Sequence, residues 1–190
     1  GWLEVGDAQF EVITDENCMN ENNTYYAKLD VNEPNGGILN YGYGDIEGTV
    51  LKGNENCFPG MNFEKGETYT FSMWVRGAVD TTATITIYGG GSSEAEGMYN
   101  GAYEVGKATL DINTTGDGWQ KVSVPVTIEK DVADENGLTA DGFADITFAD
   151  PGTYYLDFIS LYPVETYNNR ENGLNKDLVE KLREMEPGFM

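Results

Sequence analysis

The chain has 190 residues and a formal net charge of −22 at pH 7, which repels nucleic acids, anionic membranes and acidic polysaccharides at long range. It contains no histidine, so Ser-His and Cys-His catalysis and His-ligated zinc are excluded, and paired carboxylates are left as a hydrolytic chemistry. No apolar run approaches the roughly 18 residues of a membrane span. We therefore expect neutral or cationic partners, no nucleic acid and no membrane insertion.

Short alternating segments follow one another along the chain and predict a series of β-strands. Turn-forming residues separate them, most clearly at 32–37 and 150–152. Eight to ten strands and no helix are predicted up to residue 163: two within Trp2–Ile13, then Tyr25–Val31, Ile38–Gly44, Gly66–Gly77, Thr82–Tyr88, Thr109–Asn113, Trp119–Glu129, Phe143–Phe148 and Thr153–Tyr162. This order predicts an all-β fold, an antiparallel β-sandwich or jelly roll.

The hydrophobic period changes after residue 163. Apolar residues recur at helical spacing between Gly173 and Met185, Asn172 or Asn175 can cap the helix, and Pro187 ends it. We expect residues 1–163 to form the sandwich, and residues 164–190 to form a linker and one amphipathic helix. The apolar stripe of that helix must pack either on the sandwich or on another part of the parent protein.

The strand predicted at Gly66–Gly77 carries the main candidate site. Its odd-numbered residues from Tyr69 to Val75 are apolar, so the even-numbered ones, including Trp74 and Arg76, face away from the core. An indole ring can stack on the C–H face of a sugar, and a guanidinium can donate hydrogen bonds to its hydroxyls. The alternative is that a second sheet or a loop covers this face and buries Trp74.

Other aromatic and polar side chains extend this candidate site. Tyrosines two residues apart along one strand share a face, and rings beside polar groups on neighbouring strands would suit a neutral sugar chain. The alternative is that several of these residues pack in the sandwich core, and Trp119, which follows a tight turn, is expected to be structural. The full predicted carbohydrate-binding set is Trp74, Arg76, Asn40, Tyr41, Tyr43 and Tyr155.

Two parts of the chain resemble glycoside hydrolase family 51 α-L-arabinofuranosidases. Ser-Leu-Tyr-Pro at 160–163 and Arg-Glu-Asn-Gly-Leu-Asn-Lys-Asp-Leu at 170–178 resemble the strand end and helix start that lead into the first helix of the family's catalytic (β/α)₈ barrel. Upstream, residues 36–44, 66–76, 118–119 and 154–157 resemble the jelly-roll domain inserted near the start of such enzymes. That domain is similar to carbohydrate-binding modules of families 4 and 9, which have the galactose-binding-like fold.

The resemblance implies a non-catalytic module that binds neutral arabinose- or xylose-containing plant polysaccharide, such as arabinan or arabinoxylan, beside the catalytic barrel of its parent chain. A structural or subunit-contact insert without glycan binding is the alternative. The resemblance also implies that Asp157 helps to ligate one structural calcium ion. Gly53-Asn54-Glu55 echoes the family's acid/base motif but lies in a loop, so no catalysis is expected from this chain. The parent is expected to be secreted, periplasmic or on the cell surface, with its signal elsewhere.

Overall fold

The computed structural model describes residues 1–42, 60–77, 79–90, 99, 101–113, 118–132, 142–171 and 173–185. The described residues form two five-stranded antiparallel sheets and one α-helix, which confirms the predicted all-β sandwich. The strands are β1 (Trp2–Val5), β2 (Ala8–Thr14), β3 (Tyr25–Val31), β4 (Gly36–Asn40), β5 (Thr68–Gly77), β6 (Thr81–Gly89), β7 (Tyr103–Ile112), β8 (Gln120–Thr127), β9 (Phe143–Phe148) and β10 (Gly152–Pro163). The first sheet has the order β1-β4-β9-β6-β7, and the second sheet has the order β2-β3-β10-β5-β8.

The main core lies between the two sheets, because each strand turns alternate side chains inward. Phe71 and Val75 of β5 contribute to it from the second sheet, and Ile85 of β6 contributes from the first. Tyr154 of β10 is also fully buried, and its ring stacks on Phe148 of β9 with the ring centres 4.2 Å apart. The opposite side chains of β5 therefore lie on the outer face of the second sheet.

Two strand boundaries differ from the sequence-based prediction. β4 begins at Gly36, inside the predicted turn, because Gly36 and Gly37 already pair with β9. A side chain at Gly37 would run into the carbonyl oxygen of Ile146, so only glycine allows this close approach. β7 begins well before the predicted Thr109, because a β-bulge opposite Ile87 and Tyr88 shifts its alternation.

The helix predicted near the C-terminal end is α1 (Lys176–Glu184). Asn175 caps it, since its side-chain oxygen accepts a hydrogen bond from the Leu178 amide at 2.9 Å, whereas Asn172 lies outside the described residues. The apolar stripe of α1 is not covered by the described part of the sandwich and stays exposed at Leu174, Leu178, Leu182 and Met185. In the described ranges no helix is both long enough and apolar enough to cross a membrane.

Candidate functional site

The structure divides the predicted sugar-binding residues between the two sheets. Trp74 and Arg76 of β5 and Tyr155 of β10 lie on the outer face of the second sheet, where Arg76 pairs with Tyr155 across the strands. Asn40 and Tyr41 lie at the end of β4, in the first sheet. Tyr43 lies outside the described residues. Tyr41 packs on the outer face of the first sheet, and the outer faces of a sandwich point in opposite directions, so Tyr41 does not share a groove with Trp74.

Arg76 is enclosed by three aromatic rings, which we name together with it the Arg76 cluster: Arg76, Tyr26, Tyr155 and Trp119. The centre of its guanidinium lies 4.2 Å from the ring centre of Tyr155, 5.4 Å from Trp119 and 6.0 Å from Tyr26. These are cation–π distances, so the rings hold the charge by their negative faces. Its Nη2 donates a long hydrogen bond to the Tyr26 hydroxyl at 3.5 Å, whereas its Nε is buried and has no hydrogen-bond partner among the described residues, so the guanidinium is engaged mainly by stacking.

The Arg76 cluster also fastens the loop after β2 to the sheet. Trp119 donates a hydrogen bond from its indole nitrogen to the Asn17 carbonyl at 2.9 Å, and Tyr26 donates from its hydroxyl to Asp15 at 2.8 Å. Tyr26 is only 3% exposed, and burial, followed by the hydrogen bond to Asp15, raises its pKa to about 12. The same hydrogen bond lowers the pKa of Asp15. One end of the outer face is therefore covered by packed side chains.

Trp74 lies next to this covered region, and the structure leaves it partly buried. Across the strands it pairs with Asp157 of β10 on one side and with Lys121 of β8 on the other. Lys121 is exposed, so its ammonium is available to hydroxyl groups of a ligand. The indole is thus neither enclosed in the core nor fully exposed.

Asp157 has one carboxylate oxygen satisfied and one unsatisfied. Its Oδ1 accepts a hydrogen bond from the Phe158 amide at 2.8 Å, whereas Oδ2 is buried and has no partner in the described part of the chain. Burial raises the pKa of this carboxyl group, and the hydrogen bond from Phe158 opposes that effect.

The surroundings of Asp157 test the predicted calcium site. Calcium takes six to eight oxygen ligands, usually from several acidic side chains. Among the residues described, no group of three or more His, Cys, Asp and Glu side chains could hold a metal ion. The described residues therefore show no cluster of acidic ligands around Asp157, and the calcium ion stays a prediction of the resemblance.

The backbone next to Asp157 contains a β-bulge. The register between β10 and β5 shifts between Asp157 and Ser160, and Phe158 takes a φ of 46°. Positive φ is an outlier for so bulky a residue. The Phe158 ring is 48% exposed, so the bulge presents an aromatic side chain to solvent one residue past the cross-strand partner of Trp74.

Asn40 and Tyr41 make structural contacts in the described residues. The side-chain oxygen of Asn40 accepts a hydrogen bond from the Gly42 amide at 2.8 Å, which fixes the chain where β4 ends. Tyr41 packs, partly buried, against Leu39 and Phe143 on the outer face of the first sheet.

That face carries a buried carboxylate that the sequence analysis did not single out. Asp145 of β9 is 3% exposed, and the Tyr99 hydroxyl donates to its Oδ2 at 2.7 Å, while Oδ1 is buried and finds no hydrogen-bond partner among the residues that the structure describes. Tyr88 and Phe143 stack beside it with ring centres 4.8 Å apart, and Tyr99 meets both rings edge-on. Burial raises the pKa of Asp145, and hydrogen bonds led by that from Tyr99 oppose the rise. Alternation places Asp145 on an outer face, but no sequence pattern shows that Tyr99 covers it.

Comparison with curated proteins finds α-L-arabinofuranosidases. The chain is 28% identical over 186 residues to an extracellular exo-α-L-arabinofuranosidase of Streptomyces chartreusis, a match that covers 98% of the chain and 18% of that protein. It is 29% identical over 191 residues to α-L-arabinofuranosidase A of Aspergillus kawachii, covering 100% of the chain and 26% of the relative. The chain thus spans about a fifth to a quarter of the length of these relatives. No protein-family model matches it.

Solved structures share the fold at low sequence identity. An arabinose-bound family 51 α-L-arabinofuranosidase matches 98% of the chain and 26% of its own length, with a TM-score of 0.73 and 19% identity. A xylan-binding module of family 22 from Paenibacillus barcinonensis matches 87% of the chain and 86% of its own length, with a TM-score of 0.52 and 14% identity. As the resemblance predicted, the chain is similar over nearly its whole length to the β-sandwich segment of family 51 α-L-arabinofuranosidases, and its fold is that of carbohydrate-binding modules.

Proposed function

We propose that this domain binds neutral plant polysaccharide containing arabinose or xylose, without catalysing its hydrolysis. The observation that carries the proposal is the position of Trp74, partly buried on the outer face of the second sheet between Lys121 and Asp157. A flat ring beside an exposed cation offers a stacking surface and hydrogen-bond donors to a sugar ring that bears hydroxyl groups.

The charge of the domain selects the kind of glycan. A net charge of −22 disfavours pectic acids and other anionic chains, whereas neutral arabinan and arabinoxylan meet no long-range repulsion. In this proposal Tyr155 and Arg76 support the surface through the Arg76 cluster, and Trp74 contacts the ligand. Asn40, Tyr41 and Tyr43 stay predicted glycan contacts, and of these Tyr41 lies on the outer face of the first sheet.

The parent protein is proposed to be a secreted, periplasmic or cell-surface α-L-arabinofuranosidase. Its relatives carry that activity in their names, one of them is named as extracellular, and all are several times longer than this chain. In this proposal residues 1–163 form the binding module, and residues 164–190 link it to the catalytic barrel. The exposed leucine stripe of α1 would then be covered by that barrel.

A second candidate function is a structural insert that braces the barrel or a neighbouring subunit. It is favoured by the Arg76 cluster, which closes one end of the outer face with packed rings, and by the exposed stripe of α1, which requires a protein partner. An insert of this kind would show no affinity for glycan, so binding separates the two proposals.

The test is affinity electrophoresis of the 190-residue chain through gels that contain wheat arabinoxylan or debranched arabinan. We expect retardation of the wild-type chain and at least about tenfold weaker retardation of Trp74→Ala, because the stacking contact is lost. Tyr25→Ala is the matched control, since Tyr25 is an exposed ring at the start of β3. Equal retardation of Trp74→Ala and wild type would refute a role for Trp74, and no retardation of either would favour the structural insert.

A further inference from the structure

The outer face of the second sheet carries exposed aromatic rings beyond Trp74. Phe158 lies in the bulge of β10, one residue past the cross-strand partner of Trp74. Tyr162, also on β10, pairs with Thr70 of β5, and its ring is 40% exposed. We name Trp74, Phe158 and Tyr162 the aromatic strip. The three rings that enclose Arg76 are not part of the aromatic strip.

The order of side chains along β10 places Tyr162 on the same face as Trp74. Asp157 pairs with outward-facing Trp74, and Ser160 bonds through its hydroxyl to the Ser72 hydroxyl at 2.8 Å, so both point outward. Tyr162 is two residues beyond Ser160 and therefore faces the same side. Phe158 is too exposed to belong to the core, whereas its neighbour Ile159 packs against the core.

The bulge holds Phe158 in a conformation that opposes folding. A left-handed φ is unfavourable for a residue with a bulky side chain, and an exposed ring recovers little of that free energy by burial. Asp157 stabilises this conformation, because its Oδ1 accepts the hydrogen bond of the Phe158 amide. The result is an exposed ring whose backbone is held in the bulge, one residue past the cross-strand partner of Trp74.

Polar groups lie between the rings of the strip. The paired hydroxyls of Ser72 and Ser160 separate Phe158 from Tyr162, and Lys121 lies across from Trp74. Two residues along a strand advance about 7 Å, so the strip from Trp74 to Tyr162 is longer than one sugar ring. A single terminal arabinose would contact only part of it.

We propose that the aromatic strip binds an extended neutral glycan along β10, with Phe158 and Tyr162 as further stacking residues and Asp157 as a positioning residue that holds the Phe158 bulge. This inference rests on the proposed carbohydrate binding and specifies its ligand as a linear chain of several sugar units. Binding of such a chain differs from recognition of a single arabinose unit that branches from a polysaccharide backbone.

The experiment is isothermal titration of the 190-residue chain with arabinose, arabinotriose, arabinohexaose, xylotriose and xylohexaose. We expect the affinity for at least one series to rise about tenfold or more from the trimer to the hexamer. The variants Phe158→Asn and Tyr162→Ala should each weaken binding of that hexamer about tenfold and reduce the dependence on length. Asparagine tolerates positive φ, so Phe158→Asn removes the ring while the bulge is kept.

Asp157 is tested by a pair of variants. Asp157→Asn keeps a side-chain oxygen that can accept the Phe158 amide and should retain hexamer binding, whereas Asp157→Ala should bind like Phe158→Asn. Equal affinity for trimer and hexamer, with loss only in Trp74→Ala, would overturn the extended-chain inference and leave the proposed function standing. Absence of binding to any of the sugars and polysaccharides in the wild-type chain would overturn both.

Discussion

The Arg76 cluster predicts that Arg76 stabilises the fold rather than binding sugar. In Arg76→Ala the guanidinium loses its close stacking on Tyr155 at 4.2 Å and its longer contacts with Trp119 and Tyr26. A partly buried cation–π contact contributes about 1–2 kcal/mol, and the two more distant rings together add about 1 kcal/mol. Removal of the buried, unpartnered Nε offsets about 1 kcal/mol of this loss.

The net expectation is that Arg76→Ala lowers the free energy of unfolding by about 1–2 kcal/mol. For a chain of this length that corresponds to a fall in Tm of about 2–8 °C. Arg76→Lys keeps the charge but loses the planar stack, so it should lose about 1 kcal/mol. Urea unfolding followed by tryptophan fluorescence measures both variants, and affinity electrophoresis of the same samples measures glycan binding. If Arg76→Ala keeps wild-type stability but no longer binds glycan, Arg76 is a ligand donor and the reasoning is refuted.

Two further predictions concern packing and charge. Gly37→Ala should lower the free energy of unfolding by about 3 kcal/mol or more, because the new methyl group meets the backbone of β9. Gly118→Ala is the control: it has open space around it and should change the free energy of unfolding by less than about 1 kcal/mol. Similar urea midpoints for the two variants would contradict the close approach of β4 and β9. Burial raises the pKa of Asp145, so this carboxyl group holds its proton more tightly in the folded protein than in the unfolded chain. The contribution of Asp145 to stability therefore falls as the pH rises above 3.8, the ordinary pKa of an aspartate. The unfolding free energy of wild type relative to Asp145→Asn should therefore increase as the pH is lowered from 7 to 4, and a difference that stays constant over this series would argue against a buried carboxylate.

Much of the fold could be predicted, because strand alternation and helix periodicity are local properties of the sequence. The alternation from Tyr69 to Val75 correctly predicted which side chains of β5 face the core, and the spacing of the leucines correctly predicted α1. The same alternation misjudged β7, where a bulge changes which residues face inward. Asn175 was one of two predicted caps, and its hydrogen bond to Leu178 identifies it as the one used.

The arrangement of the candidate site was less accessible to sequence reasoning. Alternation can predict that Trp74 and Tyr41 face away from the core, but it cannot predict which sheet each strand joins. The strand order places the two residues on opposite sides of the sandwich. The positive φ at Phe158 could not be predicted, because no glycine or asparagine stands at that position. The burial of Asp145 depends on Tyr99, a residue far away in sequence, and the rings around Arg76 come from three separate strands or strand ends.

The strand order has a consequence for synthesis of the protein on the ribosome. β9 lies between β4 and β6, and β10 lies between β3 and β5, so the last two strands to emerge fill the middle of both sheets. The first sheet is incomplete until Phe148 has left the exit tunnel, and the second is incomplete until Pro163 has left it, so the earlier strands must wait with unpaired edges. A nascent chain that pauses before β9 would expose those edges, which makes it a substrate for chaperones and prone to aggregation.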